Sequence, residues 1–350
     1  MRRVAVVLFN LGGPDSPDAV QPFLHNLFAD PAILRVPGWL RWLLARFIAR
    51  RRAPVARAIY ARIGGRSPIL PQSLEQAAAL QAALGELGEV RVFVAMRYWH
   101  PRAAAVVREV AEWRPDAVVL LPLYPQYSTT TSASSLTEWR DCAKAADLHA
   151  PLHVVCCYAE APGLVSAHAE ALLQRLAEAE QGGPTRVLFS AHGLPQKVVD
   201  AGDPYQWQVE RTVEAVVRQV RQQRGGRTFD FSICYQSRVG PLKWIGPSTE
   251  AEISRAAASG LGLIVVPIAF VSEHSETLVE LDIEYRERAH QAGARQFLRI
   301  PALGVADGFI GTLSRAVRQA LARPSERPCA FQGKRACPAR FKGCAMQAAT

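Results

Sequence analysis

Val187-Leu188-Phe189-Ser190-Ala191-His192-Gly193-Leu194-Pro195 is a short apolar run that stops at a histidine and a Gly/Pro turn. Its apolar residues follow one another without alternating with polar ones, as in a strand buried on both faces. The same signature recurs over Val4–Asn10, Val90–Ala95, Ala117–Leu123, Leu152–Cys156, Phe229–Cys234, Leu263–Ala269 and Phe297–Ile300. Amphipathic helical patterns lie between these runs, among them Leu74–Leu87, Arg102–Trp113, Gly163–Ala179, Gln206–Gln223 and Ser248–Ala258. Strand and helix in alternation imply parallel sheets built from βαβ units.

Eight strands are many for one sheet, and Gln181-Gly182-Gly183-Pro184 is a natural boundary near mid-chain. The expectation is therefore α/β, with two doubly wound domains, each a four-stranded parallel sheet flanked by helices. The first takes residues 1–160 and the second 161–323, with a tail over 324–350. Ligands of such folds sit beyond the carboxyl ends of the strands, so the turns after each strand carry the functional reading. The first turn, Asn10-Leu11-Gly12-Gly13-Pro14, lacks the spacing of a dinucleotide-binding loop.

The chain has 350 residues, 49% of them apolar and 21% charged, with a formal net charge of +10. Nothing in that balance departs from a globular protein. No apolar run reaches the roughly 18 residues that span a bilayer. The opening Met1-Arg2-Arg3 and the valines after it imitate a signal peptide, but they lead into a Gly-Gly-Pro turn and read as a first strand. Seven cysteines, an odd number, argue against a disulfide framework. The expected location is the cytoplasm.

Two stretches carry chemistry. In Ser272-Glu273-His274-Ser275-Glu276-Thr277-Leu278-Val279-Glu280-Leu281-Asp282-Ile283-Glu284, the residues Glu276, Glu280 and Glu284 share one helical face. Like charges at that spacing repel, and a cation beside them would remove the repulsion. His192, at its strand end, could accept a proton or ligate a metal at neutral pH. Trp244, after the strand that ends at Cys234, reads as core or as the flat wall of a pocket.

Those residues, with Gly64-Gly65-Arg66-Ser67-Pro68, Arg97-Tyr98, Leu123-Tyr124-Pro125-Gln126-Tyr127, Gln236-Ser237-Arg238-Val239-Gly240-Pro241 and Glu276-Thr277-Leu278-x-Glu280-Leu281, resemble the ferrochelatase family over nearly the whole length. Seven motifs in the family's order make the resemblance specific. It implies two Rossmann-like domains around a cleft, and Fe(II) and protoporphyrin IX as substrates in haem synthesis. His192 then corresponds to the active-site histidine, base or metal ligand, and Glu276 to its partner carboxylate. Glu280 and Glu284 continue a relay for protons or metal, and His274 takes the place of a second, outer histidine. Leu11, Arg97 and Tyr98 match residues that line the porphyrin, with Arg62, Ser128 and Trp244 as further porphyrin contacts. A coproporphyrin ferrochelatase, another tetrapyrrole metallochelatase and a non-catalytic porphyrin carrier are the alternatives. A carrier has no use for a row of carboxylates.

Two further segments extend the resemblance. Across residues 31–62, Trp39, Leu40, Trp42, Leu43, Leu44, Phe47 and Ile48 interleave with Arg41, Arg46, Arg50, Arg51 and Arg52. This reads as an interfacial helix pair resting on an anionic membrane, and in the family it is the lip of the cleft. Tryptophans among leucines suit lipid better than nucleic acid, which is not an expected partner; a homodimer is admitted. The tail carries Cys329, Cys337 and Cys344, unlike a C-x2-C zinc pattern. Some ferrochelatases hold a 2Fe–2S cluster with three tail cysteines and one at the end of the fourth strand, here Cys157 or its neighbour Cys156.

Overall fold

The computed structural model describes residues 2–346 apart from 35, 239, 326 and 332. The first half of the chain runs β1 (Arg3–Asn10), α1 (Val20–Phe28), α2 (Gly38–Ala61), α3 (Ile69–Ala83), β2 (Glu89–Met96), α4 (Ala103–Trp113), β3 (Ala117–Pro122), α5 (Ser132–Ala145) and β4 (Leu152–Cys157). Then come α6 (Pro162–Ala179), β5 (Thr185–His192), α7 (Gln196–Asp200), α8 (Tyr205–Gln223), β6 (Asp230–Gln236), α9 (Thr249–Ala258) and β7 (Gly262–Pro267). A π-helix (Glu276–Tyr285), α10 (Arg286–Gln291), β8 (Phe297–Arg299), α11 (Asp307–Leu321) and β9 (Pro328–Ala330) complete the described order.

All ladders are parallel and form two sheets, of order β2-β1-β3-β4-β9 and β6-β5-β7-β8. The apolar runs behave as strands covered on both faces. Val4, Val6 and Leu8 of β1 face a core completed by α3 and α11, while Ala5, Val7 and Phe9 face one completed by α4 and α5. Likewise Val187, Phe189 and Ala191 of β5 face α6 and α8, and Leu188 faces α9 and the π-helix. In each sheet the strand order reverses at its first strand, β1 or β5, so the carboxyl ends of β1 and β5 are switch points, where ligands of such folds bind.

The structure corrects three expectations. The first sheet has five strands, not four, because Pro328–Ala330 of the tail adds β9 beside β4. A three-residue edge strand opening on proline is too short to show an apolar signature. Next, α11 packs on the first sheet, with Phe309, Leu313 and Val317 against Val4, Leu8 and Leu121, so the chain returns to its starting core. Finally, residues 38–61 form one 24-residue helix, not a helix pair. Pro54 removes one backbone bond, but Ala49, Ala53 and Tyr60 on either side of it pack in one cluster with Val20, Phe23 and Leu24 of α1 and carry the helix through.

Candidate active site

β5 delivers His192 at its last residue, paired with Gln236 at the end of β6. Gly193 follows because a side chain there would lie 3.0 Å from the Gln236 carbonyl and 3.3 Å from the Trp244 ring. The turn is pinned by Gly193 N–H to the Gln236 carbonyl (2.9 Å) and by Ile245 N–H to that of Leu194 (3.0 Å). Trp244 therefore stands beside the histidine turn, half-buried.

Facing it, the segment after β7 winds into a π-helix. The expected α-helical face is corrected here: the carboxylates keep their spacing, but the backbone closes one residue wider. Such widened turns are rare and occur mostly at functional sites. Glu276, at its first turn, places Oε2 at 2.9 Å from His192 Nδ1. Burial opposes charge on both groups, but each favours the charged form of the other. Glu276 is held well below the usual carboxylate range by His192 and His274, and His192 is raised above the usual imidazole value by Glu276. A carboxylate only accepts, so Nδ1 carries the proton and Nε2 is the ring nitrogen left for substrate.

His274 is not peripheral, as its outer assignment implies. Its Nε2 lies 3.7 Å from Glu276 Oε2, its Nδ1 faces the Ser272 carbonyl at 3.2 Å, and its ring rests on Phe270. The residue that does turn away is Glu273, clamped by Arg299 and the Ala302 N–H.

Glu280 is caged. It accepts from the Ser237 N–H (2.8 Å), the Ser237 hydroxyl (2.5 Å), the Tyr285 hydroxyl (2.8 Å) and the Gln236 amide (3.2 Å). Ser237 reaches it with both groups from a left-handed backbone, φ 60°. Burial and the nearby Glu276 charge nevertheless raise the Glu280 carboxyl above its usual value. Gln236 also donates to the Glu276 carbonyl (3.0 Å), tying both steps of the row to the end of β6. Glu284 is exposed, 3.5 Å from Arg62 at the end of α2, and Arg62 also reaches Glu287.

The remaining expected contacts divide. Leu11 and Tyr98 are brought together, with Tyr98 N–H on the Leu11 carbonyl at 3.0 Å. The Arg97 guanidinium is spent on Asp30 (2.7 Å), Glu138 (3.0 Å) and Ser134 (2.9 Å), and the Tyr98 hydroxyl also donates to Asp30 (2.8 Å). Both side chains stiffen the wall below Leu11 rather than offer free polar atoms. Ser128 lies elsewhere: it is buried, its hydroxyl donates to Asp203 (2.9 Å), and neighbouring Thr129 touches Gly343 of the tail.

A family model for ferrochelatase matches residues 3–321. The ferrochelatase of Phenylobacterium zucineum is 52% identical over 348 residues, covering 99% of this chain and 98% of its own. The chain belongs to the ferrochelatase family. It is thus an enzyme, a lyase. The ferrochelatases of Caulobacter vibrioides (52% identical, 92% of this chain and 91% of that one) and Pelagibacter ubique (45%, 97% of each) are similar over comparable spans. Among solved structures, SirB from Bacillus subtilis with Fe3+ shares the fold at 12% identity, with a TM-score of 0.52 over 92% of this chain and 96% of that one.

Two further expectations concern α2 and the tail. On α2, Trp39, Trp42, Leu43 and Phe47 are half or more exposed, with Arg46 stacked on Trp42. Among the described residues no helix is long and apolar enough to cross a membrane. In the tail, β9 sets Cys329 beside Val155 of β4, two residues before Cys157. Cys156 and Cys157 have sulfurs 3.7 Å apart, Cys337 and Cys344 are buried in one cluster with Phe341, and Cys157 lies near Cys329 and Cys337. Among the described residues no three His, Cys, Asp or Glu side chains are closed on a common centre. The tail thiols are gathered but not converged.

Proposed function

We propose that this ferrochelatase inserts Fe(II) into protoporphyrin IX, giving protohaem and two protons. The observation that carries this reading is the His192–Glu276 pair, which turns Nε2 away from the carboxylate and makes the neutral imidazole a stronger base at the switch point of the second sheet. Two pyrrole N–H protons must leave as iron enters. His192 Nε2 accepts them one at a time, passing the first on along the carboxylate row before taking the second, and Glu276 stabilises the imidazolium that forms each time. The half-buried Glu280, with its raised carboxyl, and the exposed Glu284 extend the path from this pair to solvent for protons or iron. Leu11 and Trp244 supply stiff apolar walls; binding a bent macrocycle better than a flat one lowers the barrier to metal entry. The test compares protoporphyrin and coproporphyrin with Fe(II) in one steady-state assay. Protoporphyrin should be the better substrate; a clear preference for coproporphyrin would sink this choice.

The exposed aromatic and arginine face of α2 rests on an anionic membrane surface, from which a poorly soluble porphyrin enters, and the enzyme works at the cytoplasmic side. The tail thiols fit a 2Fe–2S cluster: the donor set is all sulfur and drawn from β4, β9 and the following loop. Cys157, Cys329, Cys337 and Cys344 would hold it, and when bound it supplies a one-electron centre. Visible absorption and iron in anaerobically purified, porphyrin-free protein are expected; a colourless, iron-free protein would remove the cluster.

A further inference from the structure

Gln208 sits on α8, outside every motif discussed so far, and is buried. Its side chain joins three parts of the chain. Oε1 accepts from the Tyr127 N–H at 2.8 Å, in the turn after β3, and Nε2 donates to Cys337 Sγ at 3.2 Å, in the tail. The orientation of the amide is not arbitrary. A backbone N–H can only donate, so the oxygen must face Tyr127 and the NH2 group must face the sulfur. The Thr212 hydroxyl donates to the Gln208 carbonyl (2.9 Å) and accepts from the Gln126 amide (3.0 Å), so α8 is itself anchored to that turn.

A rigid N–H aimed at a buried sulfur suits a thiolate, which only accepts. We infer that Gln208 is a positioning residue for the tail centre: it holds the Cys337 sulfur and, by donating to it, sets the reduction potential. The inference rests on the cluster reading above. A hydrogen bond to a ligating sulfur stabilises the more negative, reduced state and raises the potential. Without the donor, the potential falls.

The experiment is a dye-mediated redox titration, followed by electron paramagnetic resonance of the reduced centre, on the full-length protein and two variants. Gln208→Glu keeps length and the acceptor for Tyr127 but brings a carboxylate to the sulfur. Gln208→Met keeps bulk and supplies neither. Both should show a lower midpoint, Glu more than Met. At fixed potential the reduced-to-oxidised ratio should fall on the order of tenfold, about 59 mV for a one-electron couple. Unchanged midpoints in both variants would overturn the inference while leaving the cluster in place. Variants that keep native circular dichroism and melting but lose the cluster support it, since Cys337 is then no longer held. Were neither variant to fold, resonance Raman of the unaltered protein decides. Iron–sulfur stretches should shift on N–H to N–D exchange, and stretches unmoved by exchange would overturn the assignment. A parent protein with no iron and no visible bands fails earlier, at the cluster itself.

Discussion

His192 Nδ1 stands 2.9 Å from Glu276 Oε2, joining the last residue of β5 to the first of the π-helix. The carboxyl is lowered and the imidazole raised. The contribution of Glu276 is present above its unfolded value, about 4.5, and is lost as pH falls through its depressed value. That of His192 is complete below its unfolded value, about 6.5, and is lost as pH rises through its raised one. The pair is therefore strongest between those two ordinary values. In Glu276→Gln the main attraction disappears and burial, the largest influence, is opposed only by the Glu280 charge, so the His192 pKa should drop below 6.5. Nuclear magnetic resonance titration of the imidazole checks this; a value still above the ordinary one would separate His192 from Glu276.

Removing either partner should leave the fold and stop the chemistry. His192→Ala and Glu276→Ala are each expected to slow Fe(II) insertion by about 10²–10⁴-fold, the usual worth of a positioned acid or base. Anaerobic insertion assays with protoporphyrin, alongside unchanged circular dichroism, provide the measurement. Near-normal rates in either variant would overturn the assignment.

Asp30 accepts from Arg97, the Tyr98 hydroxyl, Ser134 and the Ala32 N–H, almost wholly out of water. Asp30→Ala strands a buried tyrosine hydroxyl and strips Arg97 of one of its two carboxylates. The expected loss is about 3 kcal/mol of stability, read by urea denaturation, and Asp30→Asn should lose less.

Trp39 and Trp42 are 71% and 52% exposed. Replacing both with alanine should alter stability by no more than about 0.5 kcal/mol. Co-sedimentation with anionic vesicles should nevertheless fall several-fold. If binding to vesicles is unaffected, α2 is not the membrane face.

Much of this arrangement was legible in the residues. Strands β1 to β8 announce themselves as dense apolar runs, and the turn after Ala191 marks His192 as a strand-end side chain. β9 does not announce itself, since Pro328-Cys329-Ala330 has no run of large apolar residues like that of Phe297–Ile300. Neither does the π-helix: a spacing of four puts Glu276, Glu280 and Glu284 near one face in either winding. The cage around Glu280 also escaped notice. Gln236 and Ser237 open a motif of the family, but that they grip the second carboxylate depends on β6 lying beside β5. Asp30, Asp203 and Gln208 gave no local signal; each acquires its partners only through contacts across the fold.

The first sheet is opened by the earliest residues and closed by the latest. β1 to β4 are complete by residue 157, but α11 and β9, drawn from residues 307–330, cover one face and one edge. On the ribosome, where a chain grows at about 5–20 residues per second, the second sheet is fully emerged before the first can be covered. Maturation thus runs in reverse of synthesis. The opening half waits with Val4, Leu8 and the edge of β4 bare, and is the stretch most in need of a chaperone. Residues 307–330 are the ones that release it.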